Sequence, residues 1–478
     1  MEDLKQIARS LFAQALADCS IERAFDRALR ITPGTGSAQL VVNGEDMLAL
    51  DGAKRIRIVA AGKAAAPMLQ ALLARLALPP SCDLAGVLIA PTRPPNLLPG
   101  IQFFPGGHPS PNEASFAGAS AALAMLRACT SDTLCLFLVS GGASAMMELP
   151  LDPAISLADT IAFHQALVLS GASIVEINCV RKHFSAVKGG RLALAAGPAR
   201  RLTLVVSDVP PAHLDALASG PTLPDPTTAT QCREILTLYS LPERLPASVR
   251  AFFAAPSLAE TPKPTDLISP CITLLDSGEL ARAALERAIA LGFHTVIDNT
   301  CDDWPFDAAA DHLLDRLREL RVQHPRCCLI SAGEVTVRVS GSFAHSSAPS
   351  SRATHRATHI GGRNQHLALY LATQLRVDDA PLAILSAGSD GIDGNSAAAG
   401  AVIDQHTLDS GRPSIGSRLL AVTQPASRRA SARRALDAFY ALAAFDSSTW
   451  LSAAGATIVT GPSGQNLRDL RILLADSE

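Results

Sequence analysis

Short aliphatic runs that end abruptly in Gly, Ser or Asp, each followed by a helix-like segment, recur along the chain. They occupy residues 55–67, 83–91, 133–145, 201–210, 271–280, 327–335 and 381–391. Such near-continuous apolar runs are typical of strands that are buried on both faces, and therefore of parallel sheets covered by helices. The pattern predicts an α/β fold with two Rossmann-like domains whose sheets are mostly parallel.

A proline-rich stretch divides the chain. Residues 241–270 contain six prolines and no sustained strand, which is typical of a domain boundary. We therefore predict an N-terminal α/β domain over 1–240, a linker over 241–270 and a C-terminal α/β domain over 271–478. The last segment of the C-terminal domain is expected to pack back on the first domain.

Composition narrows the classes of function. With 48% hydrophobic and 18% charged residues, the 478-residue chain is typical of a compact enzyme. Its formal net charge of -3 offers no basic surface to nucleic acid or to an anionic membrane. The amino terminus predicts an amphipathic helix rather than a secretory or transit signal, and no apolar run of ~18 residues predicts a membrane span. We expect a cytoplasmic enzyme.

Histidines and cysteines are present, but not in the spacing of a metal site. A polar stretch over 340–359 is rich in Ser, Thr, Ala and His, and an exposed loop explains it without a metal. The histidines in and near it are His345, His355, His359 and His366. Ten cysteines are scattered, and the adjacent pair Cys327 and Cys328 lacks the C-x-x-C spacing of a zinc knuckle. We expect buried, reduced thiols.

Two familiar phosphate-binding motifs are absent. The GKA segment at 62–64 lacks the Ser or Thr of G-x-x-x-x-G-K-[ST], and Arg57 stands where its first glycine would be. The GTG segment at 34–36 lacks the third glycine of G-x-G-x-x-G and follows no convincing strand. The sequence therefore contains no nicotinamide-dinucleotide fingerprint.

Three other turns offer backbone amides or cations to an anion. Gly62 allows a tight strand-to-helix turn from which Lys63 projects beside a helix N-terminus. Bare glycine amides at 141 and 142 come just after the apolar strand of the segment 133–145, and a basic helix with two central glycines spans 180–193. The candidate nucleotide- or phosphate-binding residues are Gly62, Gly141, Gly142, Ser144, Lys188 and Gly189. A surface lysine, a plain turn and a solvated helix face would each explain one of these segments alone.

Polar side chains at further turns complete the candidate site. Asp208 and Asp390 offer the carboxylate oxygens that Mg²⁺ prefers, although an Asp beside Gly more commonly caps a turn. Arg363 and Asn364 stand at a predicted helix start, and Arg181 lies in the basic helix. An arginine fork suits a carboxylate or a transferring phosphoryl group. We assign metal binding to the two aspartates and substrate binding to the other three residues.

Taken in order, ten segments resemble the glycerate kinases that make 2-phosphoglycerate, a family with a MOFRL domain in its carboxyl half. The matching stretches are AAGKAAAPM (60–68), GGHPSPNEAS (106–115), SGGASA (140–145), VRKHFSAVKGGRLA (180–193), SDVP (207–210), ASGPTLPDPTT (218–228), SAGEVTV (331–337), GGRNQ (361–365), SAGSDGIDGNSAAAGAVID (386–404) and TGPSGQNLRDL (460–470). The resemblance implies two α/β domains with the active site in the cleft between them, and the use of ATP and a divalent cation. It also implies catalytic roles for Lys63 and Arg363.

Three positions depart from the family pattern. Ala143 stands where the family usually has Gly, His366 where it has Glu, and Ala397 where it has Asp. The last two changes remove acidic groups from the expected site. They concern substrate specificity and metal affinity more than the class of reaction.

The leading hypothesis is the ATP-dependent phosphorylation of D-glycerate to 2-phosphoglycerate, with Lys63 on the phosphates and Arg363 on the substrate carboxylate or the transferring group. Asp208 or Asp390 would hold Mg²⁺, and whichever remains free could accept the hydroxyl proton. Family members are often named hydroxypyruvate reductases, so a hydroxypyruvate or tartronate reductase is one alternative, against which the missing fingerprint argues. A ligand-binding relative without catalysis is another, although both catalytic candidates are present. The expected partners are D-glycerate and a second copy of the chain.

Overall fold

The structure, a computed structural model, describes residues 3–31, 38–42, 45–49, 54–76, 82–338, 360–410 and 436–476. The chain divides into two compact units. The first unit is Ser20–Asp276, and the second unit combines Met1–Cys19 with Ser277–Glu478. The GTG segment at 34–36 and the polar stretch at 340–359 lie outside the described residues.

Helix α1 (Leu4–Asp18) opens the chain and belongs to the second unit. The helices of the first unit are α2 (Ile21–Ala28), α3 (Ala65–Arg75), α4 (Glu113–Arg127), α5 (Ala143–Met146), α6 (Leu157–Val168), α7 (Ile174–Phe184), α8 (Arg191–Leu194), α9 (Ala229–Leu238) and α10 (Ala247–Ala254), with 3-10 helices at Pro211–Ser219 and Leu241–Glu243. Side-chain caps set several of these starts. Asn112, Ser173 and Thr228 each accept a hydrogen bond from the third backbone N–H of the helix that follows, in capping boxes.

The strands of the first unit form a small and a large sheet. They are β1 (Leu29–Ile31), β2 (Ala38–Val42), β3 (Glu45–Ala49), β4 (Arg55–Ala61), β5 (Asp83–Ala90), β6 (Ile101–Pro105), β7 (Thr133–Ser140), β8 (Arg200–Val206) and β9 (Cys271–Leu275). The large sheet has the order β6-β5-β4-β7-β8-β9, and every pairing in it is parallel. The prediction of a parallel sheet is confirmed here, and β7 is buried at every position.

The strand order of the large sheet fixes where a ligand can bind. The chain starts in the middle at β4, moves outward to β6, returns to β7 beside β4, and then moves outward the other way. This is the doubly wound order, in which the loops after the two central strands diverge to opposite faces and leave a crevice at the carboxyl edge. The turns after β4 and β7, which contain the GK and GG segments, flank that switch point.

The proline-rich stretch at 241–270 lies inside the first unit, which differs from the predicted linker. It contains α10, and its side chains Leu241, Val249 and Phe253 are buried in a hydrophobic cluster with residues of α6 and α7. The strand that follows, β9, completes the large sheet, so the change of unit comes after Asp276. Proline content alone misled the prediction: Pro242 and Pro246 stand at the starts of short helices, where a missing N–H costs little, and Pro262 is buried.

The second unit contains a six-stranded sheet with helices. Its helices are α11 (Ser277–Ala290), α12 (Phe306–Gln323), α13 (Arg363–Gln374), α14 (Thr407–Ser410), α15 (residues 436–443 as described) and α16 (Ser447–Ala453), with a 3-10 helix at Val377–Asp379. Its strands are β10 (His294–Ile297), β11 (Cys327–Ala332), β12 (Leu382–Gly388), β13 (Gly400–Asp404), β14 (Thr457–Ile458) and β15 (Asp469–Ala475), in the order β10-β11-β15-β12-β13-β14.

This second sheet is mixed, and here the expectation of mostly parallel pairing needs correction. The pair β10 and β11 is parallel, but β15 lies antiparallel between β11 and β12, and β13 is antiparallel to both of its neighbours. The physical reason is that a strand buried on both faces reads as a continuous apolar run whatever its direction. Strand β15 is buried throughout, so the pattern predicts the strand but not its orientation.

Two further expectations can be compared with the structure. All ten cysteines are free, seven of them are buried, and Cys82, Cys129 and Cys271 are partly buried. The prediction of buried thiols is therefore confirmed for most of them. Among the described residues, no helix is both long enough and apolar enough to cross a membrane.

Candidate active site

The turn after β4 brings Gly62 and Lys63 to the switch point of the large sheet. Gly62 has a φ of +121°, and a Cβ atom on it would lie 2.4 Å from Oγ of Ser140, so only glycine fits between the ends of β4 and β7. The Lys63 N–H donates to the Gly141 carbonyl at 2.9 Å. The Ala64 N–H donates to Oγ of Ser140 at 3.0 Å. These contacts tie the two turns together and fix the point from which the lysine side chain leaves.

Three polar side chains surround the Gly141-Gly142 turn. A Cβ atom on Gly142 would lie 3.2 Å from Cγ of Lys63 and 3.2 Å from Cδ2 of His108. A Cβ atom on Gly141 would lie 2.1 Å from Oδ2 of Asp208. The turns after β4, β6, β7 and β8 therefore meet at one place, as the topology requires. The structure brings together the predicted residues Lys63, Gly141, Gly142 and Asp208, and adds His108.

Lys63 is placed to receive an anion. The side chain is exposed, and within the described ranges its ammonium makes no ion pair or hydrogen bond with another residue. The adjoining glycines leave the backbone bare, so a ligand oxygen can approach closely. A cation without an acceptor beside such a turn favours a phosphate or a carboxylate.

Ser144 supports this turn from within the fold. Its hydroxyl lies 3.1 Å from Oγ of Ser219, which donates to Oδ1 of the buried Asn178 at 2.9 Å. Ser219 and its neighbour Ala218 both have positive φ values, of 60° and 53°, a conformation that is costly for residues with a side chain. The chain of hydroxyl and amide groups explains part of the ASGPT signature in structural terms.

Lys188 and Gly189, which are predicted to bind phosphate, make contacts inside the first unit. Lys188 is 1% exposed and its ammonium pairs with the fully buried carboxylate of Glu148. The Gly189 N–H donates to the Ser219 carbonyl at 3.1 Å, so this amide is already used. The basic-helix pattern could not show this, because the partners come from distant positions in the chain.

Arg181 lies close to the same buried charges. It is partly buried on α7, and its Nε atom is buried without a hydrogen-bond partner in the described part of the chain. Burial lowers the pKa of Arg181, while the negative charge of Glu148 raises it. The structure thus places this predicted substrate-binding residue beside the Glu148–Lys188 pair and gives no contact with Lys63.

In the second unit, Arg363 begins α13 and is held by two carboxylates. Its Nε and Nη2 atoms donate to Asp469 at 2.6 and 3.2 Å. Nη2 also pairs with Oε1 of Glu334 at 2.6 Å. Burial alone would lower the pKa of Arg363, but the charge and hydrogen bonds of Asp469, and then the charge of Glu334, raise it well above its ordinary range. The side chain is 37% exposed, so the fork is fixed and still accessible to a ligand.

Asp393 caps the helix that Arg363 begins. Its two carboxylate oxygens accept the backbone N–H groups of Asn364 and Gln365 at 3.0 and 2.8 Å. Burial raises the pKa of Asp393 to about 6, although these two hydrogen bonds act to lower it. Asn364, a predicted substrate contact, is 1% exposed, and its amide oxygen accepts a hydrogen bond from Oγ of Ser386 at 2.7 Å.

A cavity of about 730 Å³ opens beside Arg363 in the second unit. Asp390 and Asp393 line it together with Arg363 and His366. His366 is 5% exposed, and its ring lies between Phe306 and Phe445, at centroid distances of 4.6 and 5.3 Å. Burial lowers the pKa of His366 to about 4, so a neutral ring stands where the family pattern has an acid.

The two predicted metal ligands fit a magnesium ion only if other oxygens complete its shell. Asp208 lies in the first unit and Asp390 in the second. In the described ranges, no three His, Cys, Asp or Glu side chains are grouped closely enough to hold a metal by themselves. Mg²⁺ commonly uses one or two carboxylates with waters and substrate phosphates. The residues present fit that mode and not a closed protein cage.

Sequence reasoning missed three polar residues at these sites, His108, Glu334 and Asp469, and noted Asp393 only as a carboxylate that stands with Asp390 between glycines. All four stand in segments that carry the family resemblance, and His108, Glu334 and Asp393 also follow strands, so their position was a usable signal. Asp469 differs, because it is the first residue of β15. Its place beside Arg363 depends on the antiparallel insertion of that strand between β11 and β12, which the sequence pattern does not reveal.

Known proteins resemble this chain over most of its length. Residues 7–254 match the domain of unknown function DUF4147, and residues 327–419 match the MOFRL family. Glycerate 2-kinase of Pyrococcus horikoshii is 30% identical over 100% of this chain and 98% of its own length. A protein of Agrobacterium vitis, provisionally named hydroxypyruvate reductase, is 33% identical over 88% of this chain and 87% of its own.

A solved structure supports the same relationship. The crystal structure of glycerate kinase from Thermotoga maritima has a TM-score of 0.79 and 30% identity, covering 99% of this chain and 100% of that chain. Both the amino-terminal and the carboxyl-terminal signatures are thus found in one architecture. The resemblance seen in the sequence is confirmed: the chain belongs to the glycerate kinase family that combines DUF4147 with a MOFRL domain.

Proposed function

We propose that this protein is a glycerate 2-kinase, which transfers the γ-phosphoryl group of ATP to the 2-hydroxyl of D-glycerate. The observation that carries the proposal is the ammonium of Lys63, which has no partner in the described part of the chain, at the switch point of a doubly wound sheet beside bare glycine amides. The relatives named glycerate 2-kinase and glycerate kinase cover nearly the whole chain. They favour a kinase over a reductase or an inactive binding protein.

Lys63 would neutralise phosphate oxygens of ATP. Phosphoryl transfer spreads charge over the equatorial oxygens of the transferring group, so catalysis depends on positioning and on fixed positive charge. The Gly62 turn fixes the lysine backbone through the bond to Gly141. Gly141 and Gly142 would offer backbone amides to the phosphate chain, and Ser144 would hold their turn in place through its contact with Ser219.

Arg363 would bind the glycerate carboxylate or the transferring group. Asp469 and Glu334 hold its guanidinium in a fixed plane, so little rotamer freedom is lost on binding. Asp393 fixes the helix start that carries it. Lys63 and Arg363 belong to different units, and the proposal assigns each of them its role from the surroundings of that residue within its own unit.

Asp208 and Asp390 would hold Mg²⁺ together with water and phosphate oxygens. The bound ion would offset charge on the β- and γ-phosphates. Arg181 stays a proposed contact for an anionic substrate. A cytoplasmic location and a homodimer remain our expectations for this enzyme.

A direct assay tests the proposal. Purified protein is incubated with D-glycerate, ATP and Mg²⁺, and the product is identified by ³¹P NMR as 2- or 3-phosphoglycerate. We expect 2-phosphoglycerate, formed only with all three components. The Agrobacterium vitis relative gives a reason to test the second candidate, so NADH and hydroxypyruvate are assayed in parallel. Oxidation of NADH faster than glycerate-dependent consumption of ATP would overturn the kinase proposal.

A further inference from the structure

His108 has no role among the residues considered so far, yet it shares its surroundings with Lys63. Both side chains pack over Gly142, where a Cβ atom would lie 3.2 Å from the ring carbon Cδ2 of His108 and 3.2 Å from Cγ of Lys63. Asp208 lies beside the preceding glycine. The imidazole therefore stands at the edge of the proposed phosphate-binding turn.

The loop that carries His108 is held at both ends. The Gly107 N–H donates to Oγ of Ser115 at 3.0 Å, and Nδ2 of Asn112 donates to the Pro105 carbonyl at 2.9 Å. Gly107 is needed there, because a Cβ atom on it would lie 2.4 Å from the Ser110 carbonyl oxygen. The end of β6 and the start of α4 thus form one tied loop, which limits how far the imidazole can move from Lys63.

The ring is available to a ligand. Within the described part of the chain, its nitrogens make no hydrogen bond, and the residue is exposed. Partial burial of the ring, followed by the positive charge of Lys63, lowers the pKa of His108 below its ordinary value of 6.5. At neutral pH the imidazole is therefore uncharged and carries a lone pair that can accept a proton.

We propose that His108 is a catalytic residue, whose imidazole accepts the proton of the substrate hydroxyl while Lys63 holds the phosphoryl oxygens. This inference rests on the proposed kinase function. In the step, the hydroxyl oxygen forms a bond to the γ-phosphorus as the bond from that phosphorus to the β,γ-bridging oxygen breaks. ADP leaves with the electron pair of the broken bond, and the hydroxyl proton passes to the imidazole and then to water.

The inference changes the roles of the neighbouring acids. The sequence left the proton acceptor open between Asp208 and Asp390. With His108 as acceptor, both carboxylates are free to hold Mg²⁺. A neutral base also suits a site that contains Lys63 and an anionic nucleotide, because it adds no further negative charge beside the transferring group.

The test compares His108→Gln with wild type and with His406→Gln, a substitution of an exposed histidine in the second unit. General-base catalysis contributes on the order of 10²- to 10⁴-fold, so kcat of His108→Gln should fall by at least ~100-fold. The KM for ATP and the melting temperature should stay near wild type. Wild type and His406→Gln should lose kcat/KM as pH falls and His108 becomes protonated, and His108→Gln should lack this acidic limb.

The outcomes separate the two proposals. A wild-type protein that consumes no ATP with glycerate overturns the kinase function and the role of His108 with it. An active wild type with near-normal kcat and an unchanged pH profile in His108→Gln overturns the role of His108 alone. Loss of the acidic limb in Asp208→Asn but not in His108→Gln would assign the proton to the aspartate instead. If His108→Gln is unstable, His108→Asn provides the same comparison.

Discussion

The carboxylate of Asp469 accepts two hydrogen bonds from the guanidinium of Arg363, one from Nε at 2.6 Å and one from Nη2 at 3.2 Å. The aspartate is the first residue of β15 and is paired in register with Gly388 at the end of β12. Strand β15 runs antiparallel to β11 and β12, so it begins where those two strands end. Its first residue therefore lies at their carboxyl edge. The insertion of β15 therefore places the buried carboxylate of Asp469 against the guanidinium of Arg363. The proposed reaction needs this arginine.

Arg363→Lys should impair turnover although the net charge is unchanged. A lysine ammonium cannot form the planar two-point contact with Asp469 and would not present a fixed fork to a carboxylate or phosphoryl group. Loss of one charge-assisted hydrogen bond, at about 1.5–3 kcal/mol, corresponds to a decrease of ~10- to 100-fold in kcat/KM. Steady-state kinetics with glycerate and ATP measure this.

Arg318→Lys is the matched control for that substitution. Arg318 forms the same two-point contact with Asp379, at 2.8 Å from Nε and 2.8 Å from Nη2, and takes no part in the proposed site. It should change stability without changing kcat/KM. Equal kinetic losses in the two variants would show that Arg363 acts only through the fold.

Lys63→Ala should lower turnover far more than stability. The side chain is exposed and contributes little to the core, whereas a fixed charge on the transferring group contributes on the order of 3–4 kcal/mol to the transition state. We expect kcat to fall by ~10²- to 10³-fold at an unchanged melting temperature. Lys54→Ala, which removes another exposed lysine of the same unit, should leave both unchanged. A Lys63→Ala protein that melts early but retains its turnover would contradict the assignment.

Lys188→Met should destabilise the protein strongly, because it leaves the carboxylate of Glu148 buried without its lysine. Glu148 is fully buried, and although burial opposes it, Lys188 and then His164 hold its pKa well below the ordinary range. Removing one partner of such a pair costs about 3–5 kcal/mol. Denaturant unfolding at pH 7 measures the loss, and the double variant Lys188→Met/Glu148→Gln should recover part of it. A stable single variant with greatly weakened ATP binding would restore the phosphate-binding role first expected for Lys188.

His366 should make the stability of the protein fall as the pH falls. Burial lowers its pKa from 6.5 to about 4 in the folded protein, so between these values the unfolded chain binds the proton more tightly. The contribution of His366 to the free energy of unfolding is fully present above pH 6.5 and is lost as the pH falls to 4. The loss is on the order of 3 kcal/mol. Unfolding at pH 7.5 and at pH 4.5 should show a smaller loss for His366→Gln than for wild type.

The pH measurement includes its own control. Asp393, whose pKa burial raises to about 6, contributes with the opposite sign, since protonation of this acid is favoured in the folded state. That contribution is common to both proteins and cancels in the comparison. The exposed His406→Gln should behave as wild type. If His366→Gln follows the wild-type pH dependence, the ring is protonated in the folded protein as readily as in the unfolded chain.

The local sequence pattern was sufficient to predict many of the strands and turns of this protein. The apolar runs predicted β4, β5, β7, β8, β11 and β12, because a strand that is buried on both faces has apolar side chains at consecutive positions. The Gly62-Lys63 turn was also predicted from its neighbours, since a glycine between a strand and a helix signals a sharp turn whatever lies around it. Lys63, Gly141 and Asp208 were expected together because parallel strands end at one edge.

Only the tertiary structure decided which charged residues face a ligand and which face each other. The sequence shows Lys63 and Lys188 as similar lysines beside glycines, yet one ammonium is exposed and the other is buried against Glu148. Likewise Asp469 reads as an ordinary residue at a strand start until β15 is placed beside β12. These contacts join residues 40 and 106 positions apart in the chain, and no local periodicity encodes them. Their free energies depend on burial and on partners that only the folded chain assembles.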